Sequence, residues 1–103
     1  MFLNAAAVGR TVLSARDLLA ALLAIEHSRG RTRAFPGAAR TLDLDLVLFG
    51  NAIIAEEGLT VPHPRFRERT FVLRPLAEIA PDLRDPVTGR SVAELLSDLQ
   101  PGP

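Results

Sequence analysis

Arg40-Thr41-Leu42-Asp43-Leu44-Asp45-Leu46-Val47-Leu48-Phe49 sets two carboxylates two positions apart inside an otherwise apolar run. The run predicts a strand over Thr41 to Phe49, in which residues at i and i+2 share one face about 6.5–7 Å apart. Asp43 and Asp45 then occupy one face, while Leu42, Leu44, Leu46 and Leu48 occupy the other. Aspartate is depleted in strands, and two adjacent ionised carboxylates repel each other. A hard divalent cation relieves that repulsion. Magnesium takes oxygen ligands, usually one or two carboxylates together with water and substrate phosphates, so the pair reads as a platform for a magnesium nucleotide. The plain alternative is a half-solvated strand whose outward residues happen to be acidic.

Arginines bracket this pair in sequence. Arg31 and Arg33 precede it, Arg40 stands immediately before the strand, and Arg69 follows a proline segment. A metal-bound polyphosphate has oxygens that the metal does not reach, and guanidinium groups that fork onto two oxygens meet that charge. Each arginine taken alone reads as a solvated surface residue. His63 lies between Pro62 and Pro64, where its ring can be held rigidly and donate to a phosphate or ribose, or simply serve the structure. Glu26, late in a helix, can pair with an arginine or accept from an adenine or ribose group. Asn4 sits among small apolar residues, where an amide needs partners and can match a heterocycle's edge. Phe71 can stack on a flat ligand, although its periodicity places it in the core.

Length and composition narrow the field. A chain of 103 residues is one domain, 1–103, with a modest core. Twelve basic and twelve acidic residues give no global field to draw in nucleic acid or an anionic membrane, so phosphate binding rests on local clustering. Every basic residue other than histidine is arginine, which suits bidentate phosphate contact and equally follows from a GC-rich genome. With no cysteine, disulfides, zinc–thiolate sites and thiol catalysis are excluded. No apolar stretch is long enough to span a bilayer, and no signal-like leader is visible, which points to a cytoplasmic protein. A glycine-rich phosphate loop is absent, so side chains would have to hold the phosphates.

Around the aspartate strand the elements follow from periodicity and punctuation. Phe2 to Val12 alternates weakly and predicts a strand. Ser14 and Asp17 open a helix whose apolar face is Leu18, Leu19, Leu22, Leu23 and Ile25, with Gly30 as its stop. Residues 31–39 describe a basic loop. Gly50-Asn51 predicts a tight turn, and Ala52 to Ala55 a short returning strand. The prolines of Leu59 to Arg65 impose an extended segment. Thr70 to Ala80 suits a helix bent or started at Pro75, Asp85 to Gly89 a turn, and Ser91 with Glu94 a capping box that opens a last helix lined by Val92, Leu95, Leu96 and Leu99.

Taken together, Phe2-Leu3-Asn4-Ala5-Ala6, Ile25-Glu26, Gly30-Arg31-Thr32-Arg33, Arg40 through Asp45, Leu59 through Pro64, and Arg69 through Leu73 followed by Pro75 through Pro81 resemble the 6-hydroxymethyl-7,8-dihydropterin pyrophosphokinases. The resemblance covers essentially the whole chain. It implies an ATP-dependent transferase of folate biosynthesis that moves pyrophosphate from MgATP to the hydroxymethyl group of a reduced pterin, with two Mg2+ ions held by Asp43 and Asp45. It further implies catalytic positions at Arg31, Arg40 and Asp45. ATP-binding positions fall at Glu26, Arg33, Leu46, Thr60, His63 and Arg69, and pterin-binding positions at Phe2, Asn4 and Phe71. The implied fold is α+β, with a ferredoxin-like mixed or antiparallel sheet and helices on one side. The implied partners are ATP and the pterin.

Three departures from the family pattern stand out. Gly37-Ala38-Ala39 replaces the usual Trp-Gly-Pro before Arg40, so an aromatic lid is missing unless Phe35 substitutes, and Leu23 replaces a common polar residue. The chain also starts after the family's first β-α-β portion, whose first strand would lie between the strands placed at Phe2 to Val12 and Thr41 to Phe49. This predicts an N-terminally truncated version that keeps the MgATP half of the site, as a monomer or as a dimer that fills the strand gap. Two other readings remain on residues alone. Nucleotide-sugar transferases use the same Asp-x-Asp triplet but need a far longer domain, and a small α+β regulatory or protein-binding module leaves the paired aspartates and arginines unexplained.

Overall fold

A computed structural model describes residues 4–31 and 43–99. The chain divides into two compact units, Val12–Leu46 and the pairing of Met1–Thr11 with Val47–Pro103.

In the first unit, helix α1 runs Ala15–Arg31. Ser14 opens it, with the Asp17 amide donating to Ser14 Oγ at 3.1 Å. Leu18, Leu19 and Leu22 are half-buried, whereas Leu23 and Ile25 are exposed. The helix continues through Gly30 instead of stopping there. A glycine in a helix costs only about 1 kcal/mol relative to alanine, and so weakens a last turn without forbidding it.

In the second unit, strands β1 (Ile54–Glu56) and β2 (Leu59–Val61) form an antiparallel hairpin with Ile54 opposite Val61 and Glu56 opposite Leu59. Gly58, at φ 77°, supplies the left-handed conformation its tight connection requires. A 3-10 turn (Phe66–Glu68) leads into α2 (Thr70–Ile79), and α3 (Val92–Leu99) closes the order. Phe66, Leu73, Leu76, Val92 and Leu95 make the core where α2 meets α3, with Val47, Leu48 and Ala6 packed against it.

The structure is α+β, and the hairpin is its one sheet among the described residues. Several expectations are corrected. Neither 4–12 nor 43–49 is in a strand. An extended segment becomes a strand only when a neighbour supplies a ladder of N–H···O=C bonds, and the Val47 carbonyl accepts a single bond from the His63 amide at 2.8 Å. The turn at Gly50-Asn51 forms, with the Ala52 amide donating to Phe49 at 2.9 Å, but the strand that follows pairs forward with β2 and not back. Helix α2 begins at Thr70, five residues before Pro75, which sits inside it.

Phe71 is also corrected: it is 51% exposed. In a helix of 3.6 residues per turn, Phe71 and Leu73 are about 200° apart, so the rotation that buries Leu73 with Leu76 turns Phe71 outward. Phe66, outside any long helix, is the fully buried aromatic instead.

The capping box at α3 forms as the sequence predicts. The Ser91 amide donates to Glu94 Oε1 at 2.9 Å, and the Glu94 amide donates to Ser91 Oγ at 3.1 Å. Ser91→Ala removes one half of it, and chemical denaturation should register a loss of about 1 kcal/mol. Among the described residues no helix is long and apolar enough to cross a membrane.

Asp85 is fully buried and entirely paired. It accepts from Arg67 Nε at 2.5 Å and Arg67 Nη2 at 2.8 Å, from the Val87 amide at 3.0 Å and from Thr88 Oγ1 at 2.7 Å. The guanidinium fork, helped by the Thr88 hydroxyl and the Val87 amide and opposed by burial, lowers the Asp85 pKa to about 2. Its folded value lies below its unfolded one, so the stabilisation is full above about pH 4 and is lost as pH falls through 2. The difference in unfolding free energy between the parent chain and Asp85→Asn should therefore shrink by about 2 kcal/mol between pH 4 and pH 2. A difference that stays constant across that range would contradict the pairing.

Candidate functional site

The residues singled out from the sequence fall in both units. In the first, exposure alternates along the aspartate segment: Asp43 and Asp45 are exposed, Leu44 and Leu46 half-buried. This is the two-residue period expected of an extended backbone with its acids on the solvent side. Among the described residues neither carboxylate is paired with a cation. Between them, the Leu44 amide donates to Glu26 Oε2 at 2.5 Å. Glu26 thus tethers the segment to α1, a role different from an arginine pair on the helix surface, and one carboxylate oxygen takes the whole bond. Arg31 is the last residue of α1.

Phe2, Arg33 and Arg40, like the expected lid substitute Phe35, lie outside the described residues. Their assigned roles rest on the sequence.

In the second unit His63 is held at three points. Its amide donates to the Val47 carbonyl at 2.8 Å, its carbonyl accepts from the Phe66 amide at 3.3 Å, and its Nδ1 accepts from the Arg65 amide at 3.2 Å. A backbone N–H can only donate, so Nδ1 carries the lone pair and Nε2 carries the proton. The imidazole therefore offers an N–H donor away from its own backbone. The preceding Val61–Pro62 bond is cis.

Arg69 and Phe71 are brought together. The Arg69 guanidinium carbon lies 5.6 Å from the centre of the exposed Phe71 ring, a cation–π contact. Arg69 also caps α2, its carbonyl accepting from the Val72 and Leu73 amides at 3.0 Å each. His63 and Arg69 thus stand at the two ends of one short turn, on either side of buried Phe66. Thr60 is exposed on β2 between buried Leu59 and Val61, and Asn4 is exposed, so its amide needs no protein partner.

Glu26, Asp43 and Asp45 belong to one unit, and His63, Arg69 and Phe71 to the other. Among the described residues no cluster of three or more histidine, aspartate or glutamate side chains is positioned around a point. The sequence reading passes over Arg67 and takes Asp85 only as the start of a turn, so the Arg67–Asp85 pair is missed. Its available signal was Asp85 with Thr88 three positions on, the spacing by which an aspartate at a turn collects local donors.

Residues 1–81 match the family described as 7,8-dihydro-6-hydroxymethylpterin-pyrophosphokinase (HPPK). The chain is 44% identical over 98 residues to the 2-amino-4-hydroxy-6-hydroxymethyldihydropteridine pyrophosphokinase of Synechocystis, covering 95% of this chain and 50% of that one. It is 49% identical over 96 residues to the protein of the same name in Pseudomonas aeruginosa, covering 93% of this chain and 59% of that one. It is 46% identical over 92 residues to the folic acid synthesis protein fol1 of Pneumocystis carinii, covering 89% of this chain and 12% of that one. The chain spans roughly half the length of the two bacterial relatives. It belongs to the 7,8-dihydro-6-hydroxymethylpterin-pyrophosphokinase family.

Proposed function

We propose that this member of the pterin pyrophosphokinase family acts in folate biosynthesis, in the transfer of pyrophosphate from MgATP to the hydroxymethyl group of 6-hydroxymethyl-7,8-dihydropterin. The observation that carries this reading is the aspartate segment, where two exposed carboxylates alternate with half-buried leucines on a backbone tied to Glu26. Two Mg2+ ions held there by Asp43 and Asp45 would neutralise the triphosphate and orient it.

The chain's own groups divide the remaining work. Asp45 takes the proton of the attacking hydroxyl as its oxygen bonds to the β-phosphorus and the α–β bridging bond breaks, with AMP leaving. Arg31, Arg33 and Arg40 meet the charge on phosphoryl oxygens. His63 donates Nε2–H to the nucleotide and Arg69 forks onto its phosphates, while Thr60 and Leu46 line the nucleotide side. Phe71 offers a ring face to the pterin, with Phe2 on the other face and Asn4 reading the pterin's edge. Glu26 supports the nucleotide side by fixing the aspartate backbone.

The protein would act in the cytoplasm, as a monomer or as a dimer. The test is to incubate the chain with MgATP and the reduced pterin and to follow AMP by chromatography. AMP released in step with pterin diphosphate supports the reading. ADP as the product, or AMP independent of pterin, would contradict it.

A further inference from the structure

We infer that Arg67 and Asp85 are a positioning pair for the two nucleotide-facing side chains His63 and Arg69, an inference that rests on the function proposed above. The 3-10 turn at Phe66–Glu68 joins those residues, and it is weakly self-supporting. Its bonds run at 3.2–3.3 Å, from the Phe66 amide to His63, the Glu68 amide to Arg65 and the Arg69 amide to Phe66. Two stronger features hold it. Phe66 is fully buried in the core, and Arg67 forks onto Asp85 through Nε and Nη2.

Asp85 is itself immobilised. Its amide donates to the Arg90 carbonyl at 2.9 Å, its carbonyl accepts from the Gly89 amide at 2.8 Å, and its carboxylate takes the Val87 and Thr88 donors. Arg67 also stacks over Phe66, with its guanidinium carbon 4.9 Å from the ring centre. The middle of the turn is thus pinned to a rigid loop ahead of α3, while its ends present His63 and Arg69. A fork fixes both distance and direction, which a single point charge does not. Neither Arg67 nor Asp85 belongs to the set proposed to touch substrate, so the pair acts through its neighbours.

Two variants of the full chain separate positioning from mere stability. Arg67→Gln breaks the fork. Thr88→Val removes one bond to Asp85 but leaves the fork intact. Amide hydrogen exchange is read at Phe66, Glu68 and Arg69, and affinity for a magnesium complex of a non-hydrolysable ATP analogue is read by calorimetry at temperatures where each variant is folded. Arg67→Gln should speed exchange at all three amides and weaken the analogue about tenfold. Thr88→Val should lower the melting temperature with affinity within twofold of the parent. Unchanged exchange in Arg67→Gln overturns the inference whatever the nucleotide does. Faster exchange with unchanged affinity, or equal weakening by Thr88→Val, reduces the pair to a stabilising contact and also overturns it. A parent chain that binds no analogue while Arg67→Gln still loosens the turn overturns the nucleotide reading itself, and the positioning role with it.

Discussion

Asp43→Ala and Asp45→Ala are each expected to weaken binding of a magnesium–ATP analogue by at least about 100-fold, to the point where calorimetry records no heat. Magnesium keeps most of its waters and leans on one or two carboxylates plus phosphate oxygens, so removing one carboxylate removes half of the protein's share. Both side chains are exposed and form no ion pair among the described residues, so the fold should hold within about 0.5 kcal/mol. The repulsion between the two acids should even be relieved in each variant. A large loss of ligand with no loss of stability is the signature of residues kept for an ion. A regulatory or protein-binding module would show no magnesium-dependent binding in the parent and no change in either variant.

The second large effect separates two phenylalanines that look alike in the sequence. Phe66→Ala should cost about 3–5 kcal/mol, because the ring is fully buried where α2, α3 and the 3-10 turn meet. Natural domains have only about 5–15 kcal/mol in total, so the variant should be partly unfolded at room temperature or melt tens of degrees earlier. Phe71→Ala should cost no more than about 1 kcal/mol, since its ring is half exposed and rests against the Arg69 guanidinium. Its effect should appear in pterin affinity. Paired melting curves and a fluorescence titration with the pterin measure both. Equal melting temperatures for the two variants would contradict this assignment of core and site.

Local signals are legible in the sequence because their physics is local. The Ser91–Glu94 box, the Gly50-Asn51 turn and the alternation through Asp43–Leu46 each involve residues within four positions of one another. Legibility ends where a second segment decides the outcome. Residues 4–12 and 43–49 have strand-like composition, but a strand exists only through its neighbour's hydrogen bonds, and no periodicity encodes that neighbour. Beside Val72 and Leu73 an apolar Phe71 looks continuous with the core; its exposure depends on which way α2 is rotated by Leu76 and Val92.

The bonds that hold the site were hidden for the same reason. Glu26 reaches the Leu44 amide across 18 positions, and Arg67 reaches Asp85 across another 18. The first residue was visible as a candidate but for a different partner. The second pair was not visible at all, since an arginine among arginines and an aspartate in a turn are each ordinary. The resemblance carried the assignment of roles to Asp43, His63 and Arg69; the geometry adds why His63 offers Nε2–H and how Arg69 comes to rest against Phe71.

The central claim is that Asp43 and Asp45 hold divalent ions against a nucleotide's phosphates, and electron paramagnetic resonance with Mn2+ in place of Mg2+ tests it directly. The intact chain with a non-hydrolysable ATP analogue should hold two Mn2+ ions in total per bound nucleotide, and the Asp43→Ala/Asp45→Ala double variant should hold no Mn2+ beyond what the analogue binds alone. Equal Mn2+ binding by the double variant and the parent would contradict the account.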